Sequence, residues 1–181
     1  MTRKPSDKLS PKALEAEEAR LARYFKSIDK HRAALKLIVA ESFGGELDFL
    51  TWRNAFDSSD PTDTLRTVAV TGSYSAIVNA YTEILKASAG SRLIGLLPHR
   101  RPHAEQAFKA VKRDGGITAE QAELLSNSYV LEGRIEHASP DVDAEEVREA
   151  VERLLKDLPA LIKSAQAWLE SYGIAFGAAS A

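Results

Sequence analysis

ITAEQAELLSNSYVLEGRIEHASPDVDAEEVREAVERLLKDLPALIKSAQAWLE, residues 117–170, contains two helices and the turn between them. Ile117-Thr118-Ala119-Glu120-Gln121 is a capping box, in which the threonine hydroxyl and the glutamine side chain each satisfy a backbone group that a helix start leaves open. The pattern predicts a helix from there to about His137. Pro140 closes it, because proline has no N–H with which to continue the ladder. Asp143-Ala144-Glu145-Glu146 reads as a second capping box. Beyond it Val147, Val151, Leu154, Leu158, Leu161 and Ala165 form one apolar stripe at helical spacing, with Pro159 bending the helix instead of ending it. Two helices joined by so short a turn lie antiparallel, and since no alternating strand pattern of useful length appears anywhere in the chain, the fold class is all-α.

Upstream the same logic repeats. Ser10 followed by Pro11 pairs a capping hydroxyl with a proline at the first helical position. Leu14, Leu21, Ile28 and Leu35 then recur every seven residues, with Tyr24, His31 and Ile38 at the alternate position, until Phe43-Gly44-Gly45 permits a left-handed stop. Residues 46–56 read as a short helix and DSSDPTD at 57–63 as a loop. Thr62 or Asp63 is the expected cap of the next helix, which runs through LRTVAVTGSYSAIVNAYTEILKA and whose Gly72 would admit a second helix at close range. Pro102 starts another short helix that stops at Asp114-Gly115-Gly116. The expected architecture is an antiparallel four-to-five-helix bundle with excursions at 44–62 and 90–117. Residues 1–9 read as a disordered leader, 10–172 as a single helical domain and 173–181 as a flexible tail.

Composition narrows the chemistry. A chain of 181 residues, 44% hydrophobic and 28% charged, has enough material for one core. It lacks cysteine, which removes disulfides, thiolate metal sites and a cysteine nucleophile, and fits a reducing cytoplasm. No run reaches the roughly 18 apolar residues that a membrane span requires, so no membrane partner is expected. A net charge of −2 argues against broad electrostatic adhesion to nucleic acid while leaving room for local basic patches. Phosphate loops, HExxH and EF-hand loops are all missing, and no cofactor or metal is expected. GSYSA at 72–76 lacks the spacing of a serine elbow and falls mid-helix.

Two clusters remain. PHRRPH at 98–103 places Arg100 and Arg101 between His99 and His103, a basic turn able to make point contacts to RNA phosphates, although such turns are most often merely solvated. Arg134 and His137 stand three apart in the last turn of the helix from 118, and Asn127 extends their face upstream. There the negative end of the helix, with Glu132 and Glu136, favours a charged imidazole. On RNA, a histidine can exchange a proton with the ribose 2′-hydroxyl or the leaving oxygen while an arginine holds the phosphate. The competing role for both is plain helix capping. His31, at a heptad position otherwise filled by Tyr and Ile, reads as an interface histidine with one nitrogen bonded.

The order of these features resembles the HEPN superfamily, and within it the HepT-like helical proteins that accompany minimal nucleotidyltransferases. The likeness runs from about 65 to 170 and rests on a helix like LRTVAVTGSYSAIVNAYTEIL, a segment like HAEQAFKAVKRDGGITAEQAELL, an Arg/His-bearing helix end and the phrase SPDVDAEEV. The resemblance implies a homodimer that meets through the 118–137 helix and a cognate nucleotidyltransferase antitoxin. It also implies a toxin–antitoxin or phage-defence role with metal-independent cleavage of RNA, in which His137 is catalytic and Arg134 assists. In that family four to six residues separate the arginine from the histidine, which puts the arginine here on or near Glu132 or Val130, and the tyrosine that often follows the histidine is replaced by Ala138 and Ser139. The alternative is a noncatalytic helical binding or dimerisation module that partners a nucleotidyltransferase or another protein.

Overall fold

The computed structural model describes residues 9–139 and 141–174. These form six helices and no strand: α1 (Pro11–Phe43), α2 (Phe49–Phe56), α3 (Pro61–Ala89), α4 (Ala104–Arg113), α5 (Ala119–Glu136) and α6 (Ala144–Ser171). The all-α class is as expected. Four long helices make the bundle, with the short α2 packed on α3 and α6 and the short α4 on α3 and α5. The leader as far as residue 8, Pro140, and the tail from 175 lie outside the described residues. Leu9, Tyr172 and Ile174 pack on the core, so order reaches two residues past the expected end of the domain.

α3 is the axle. Tyr74, Ile77, Tyr81, Ile84 and Leu85 are at most 1% exposed, and its C-terminal half is covered nearly all round. α1 runs antiparallel to it, since Arg20 near the start of α1 reaches Glu83 near the end of α3 at 3.6 Å. The start of α3 shares a cleft with the end of α5, which makes that pair antiparallel too. α5 and α6 form a hairpin tied by Gln121 to Ser164 at one end and Arg134 to Glu146 at the other. Tyr81 donates its hydroxyl to the Leu161 carbonyl at 2.6 Å, fastening α3 to the middle of α6.

Helix starts follow the sequence with two exceptions. Ser10 caps α1, Gly44 at φ 73° stops it, and Thr118 and Gln121 form the full capping box of α5. α3, however, is capped by Asp60, whose carboxylate accepts from the N–H groups of Thr62 and Asp63. The winning residue is the one that precedes a proline at the first helical position, as at Ser10-Pro11. At α6, Asp143 is the cap but makes no side-chain cap bond. Glu146, which would complete the box, gives its carboxylate to Arg134 at 2.7 Å. Gly72 also departs from expectation: among the described residues nothing lies within 4 Å of where its Cβ would be, so none of the described helices packs closely on it. His31 is half-buried, but its ring makes no hydrogen bond among the described residues.

The excursion at 44–62 is part of the core. Trp52 is fully buried, its ring lies 5.5 Å from Phe43 and 5.6 Å from Phe56, and its Nε1 donates to the Ala144 carbonyl at 2.6 Å. α2 therefore joins the end of α1 to the start of α6.

Candidate functional site at the α5–α6 junction

The capping box sets the register of α5 and carries Asn127, Arg134 and His137 along it. His137 is the C-cap residue, exposed, with its N–H on the Gly133 carbonyl. Ala138 then takes the left-handed conformation at φ 47°, and the Ser139 N–H reaches back to the Arg134 carbonyl at 2.9 Å, which ends the helix.

Arg134 turns toward its own chain. Its Nη1 donates to Glu146 at 2.7 Å, its Nη2 to the Asp141 carbonyl at 2.6 Å, and its Nε lies 3.5 Å from the Asp141 carboxylate. Ser139 donates to the other oxygen of that carboxylate. The guanidinium thus laces the turn between α5 and α6 and arrives already neutralised by two acids. Spacing three apart brings Arg134 and His137 onto neighbouring turns, yet no bond joins them. Asn127 is exposed and lines a cleft of about 230 Å³ with Ser128, Glu146 and Arg153, so it shares Glu146 with Arg134. Arg100 and Arg101 are exposed in the loop after α3, at the opposite end of that helix from His137, and the site does not include them. On the other side of the junction lies a mostly apolar cleft of about 390 Å³, lined by Phe56, Val68, Ile135 and Val142 among others.

Val130 and Glu132, with six and four residues between them and His137, hold the places the family gives its arginine without supplying a cation. Val130 is 57% exposed. Glu132 is 3% exposed and accepts from Asn79 Nδ2 of α3 at 2.8 Å, close to Tyr74, whose fully buried hydroxyl donates to the Ser128 carbonyl at 3.4 Å. Nothing local in the sequence distinguishes this carboxylate from the other glutamates of α5; only its partner on α3 does.

Burial raises the Glu132 carboxyl above its ordinary range, the Asn79 bond opposes the rise, Glu136 adds to it and His137 counters it. Burial likewise pushes the Tyr74 hydroxyl up to about 12, and the Glu132 charge adds to the push. A carboxyl raised in the folded state contributes stability that is complete below the ordinary carboxylate range and is lost as pH rises through the raised value. Glu132→Gln keeps an acceptor for Asn79 and removes the charge. Urea titrations between pH 4 and 8 are expected to show the variant more stable than wild type at the upper end, with the difference vanishing toward the lower end. A variant less stable at pH 8 would show that the ionised carboxylate is itself a stabilising partner there.

Among the described residues no group of three His, Asp or Glu side chains is placed to hold a metal ion, and no helix is long and apolar enough to cross a membrane. Compared with known proteins, the chain matches no family model, no curated protein and no solved structure.

Proposed function

We propose that this chain is a noncatalytic helical binding module, HEPN-like in its bundle, that pairs with a second copy or with a protein such as a small nucleotidyltransferase through the exposed side of α5. The observation that carries the reading is the engagement of Arg134 by Glu146 and Asp141. A phosphate-binding arginine needs a free fork, and this one would have to abandon a charge-assisted pair to offer it. The place that the family reserves for its arginine holds the buried Glu132 or the exposed Val130.

The toxin–antitoxin or defence ribonuclease is the second reading, favoured by the exposed His137 imidazole at the tip of α5. One experiment separates the two. Purified wild type and His137→Ala are incubated at high concentration with mixed cellular RNA without added metal, and association is followed in parallel by light scattering after gel filtration. The binding module predicts intact RNA with both proteins and a change in oligomer distribution or partner affinity for His137→Ala. Cleavage by wild type that His137→Ala abolishes, with the fold intact by circular dichroism, would overturn it in favour of the nuclease.

A further inference from the structure

Charge is distributed very unevenly along this chain. From 136 to 157 there are eight acids and three bases. From 92 to 113, Arg92, Arg100, Arg101, Lys109, Lys112 and Arg113 face a single acid, Glu105, and every one of these cations is exposed. The acidic stretch starts beside the beginning of α3 and the basic stretch follows its end, α3 being a helix of 29 residues that spans roughly 40 Å. Pairing differs as much as count. At other places Arg20 is held by Glu17 and Glu83, and Arg148 by Glu145 and Glu152. In the basic stretch Lys109 meets Glu105 at 3.6 Å, but Arg92, Arg100, Arg101, Lys112 and Arg113 have no ion-pair or hydrogen-bond partner for their side chains among the described residues.

The loop fixes Arg92, Arg100 and Arg101 relative to one another because its backbone is pinned. The Ser91 N–H donates to the His99 carbonyl at 3.0 Å and the Leu97 N–H to the Ala89 carbonyl at 2.9 Å. Gly90 sits so close to the next strand of loop that an added Cβ would lie 2.5 Å from the Arg100 carbonyl oxygen. Leu93 and Pro102 are buried on either side. Arg100 and Arg101 are thus presented from an ordered turn, and repulsion among them stays uncompensated until an anion arrives.

Two further observations choose the anion. α4 buries its apolar residues Ala104, Ala107, Phe108, Ala110 and Val111, and none of the large exposed hydrophobics lies between 91 and 113. A lipid surface would find charge on the loop and α4 but no large apolar side chain of either to insert. At the border of the patch, however, Tyr129 of α5 is 37% exposed and packs perpendicular to Phe108, with centroids 6.3 Å apart. Phe108 and Lys112 are four apart on α4, so the tyrosine ring packs on the side of α4 from which Lys112 projects. Exposed aromatic rings next to backbone-tracking cations suit unstacked bases, whereas a duplex keeps its base faces covered.

We propose that the end of the bundle formed by the 91–103 loop, α4 and Tyr129 is a binding surface for single-stranded nucleic acid, with the cations on the phosphates and the Tyr129 ring under a base. It lies away from His137 and stands whether or not that residue cuts RNA.

Fluorescence anisotropy with labelled 20-mers of rU and dT, a 20-base-pair duplex, and vesicles of mixed phosphatidylcholine and phosphatidylserine tests the assignment. The single strands are expected to bind, more weakly as salt rises. Arg100→Ala with Arg101→Ala should lower the affinity and reduce the slope of log K against log salt by about 1.4, which is two phosphates' worth for a single strand. Tyr129→Leu should cost about tenfold with the slope unchanged, and Tyr129→Phe should restore wild-type binding. Circular dichroism on each variant confirms the fold. Absence of single-strand binding at low salt, duplex bound as tightly as single strand with Tyr129→Leu silent, or binding to vesicles alone would each overturn it.

Discussion

Trp52→Ala is expected to remove about 3–5 kcal/mol of unfolding free energy, the usual cost of emptying a large aromatic site in a core that relaxes only partly. Trp52 is fully buried between Phe43 and Phe56 and donates to the Ala144 carbonyl 92 positions away. The ring therefore bonds three helices, and its loss loosens the end of α1 and the start of α6 together. Trp52→Phe isolates the hydrogen bond. The Ala144 carbonyl lies in the first turn of α6 and keeps its helical partner, so the phenyl variant should lose only about 1–2 kcal/mol. Chemical denaturation followed at 222 nm measures both. A loss under about 1 kcal/mol for the alanine variant would mean that α2 is a detachable appendage and that the four long helices hold without it.

That contrast marks the boundary of what the sequence made legible. Patterns that resolve within one or two helical turns were readable. Thr118 with Gln121, Ser10 with Pro11 and the Gly44 stop each satisfy backbone groups only a few residues away, and all three are realised. What failed depended on partners far along the chain. Asp143 and Glu146 have the spacing of a capping box, but Arg134, twelve residues upstream, competes for Glu146 and wins. Gly72 has the small size that close helix packing needs, yet size does not reveal which side of α3 is covered, and that side is open. The short helix within 44–62 is present as α2, but no local pattern marks its Trp52 as the residue that meets Ala144.

The candidate site divides along the same line. Spacing places Arg134 and His137 on one side of α5, and it says nothing of how the chain folds back after Ser139. Asp141 and Glu146 return to meet the arginine, and the histidine is left facing outward alone. The basic stretch was legible in part, because Arg100 and Arg101 adjoin in sequence. Lys112, Arg113 and Tyr129 join them only through the docking of α4 on α3 and α5.

Asp114→Ala is expected to cost about 2–4 kcal/mol. An acid at the C-terminal end of a helix meets the negative end of its dipole, and Asp114 stands at that position on α4. The offset comes from α6. One oxygen of Asp114 accepts from Trp168 Nε1 at 2.8 Å and from the Tyr172 hydroxyl at 2.6 Å, and the two rings meet edge to face at 5.9 Å with 5% and 6% exposure. Gly116 completes the joint, since a Cβ there would come within 2.6 Å of the Trp168 ring. Removing the carboxylate strands two donors in a largely apolar setting, each bond to a charged acceptor being worth about 1.5–3 kcal/mol. The adjoining cleft, which Asp114, Thr118, Ser164 and Ser171 help to line, admits water and holds the total below the sum of the two. Because both donors converge on one oxygen, Asp114→Asn can present its carbonyl in the same place and should lose about 1 kcal/mol, the difference between a charged and a neutral acceptor. Denaturation curves for both variants, with tryptophan fluorescence as the probe, decide the matter. Equal losses for alanine and asparagine would show that the negative charge, and not the pair of bonds, holds the end of α6 against α4.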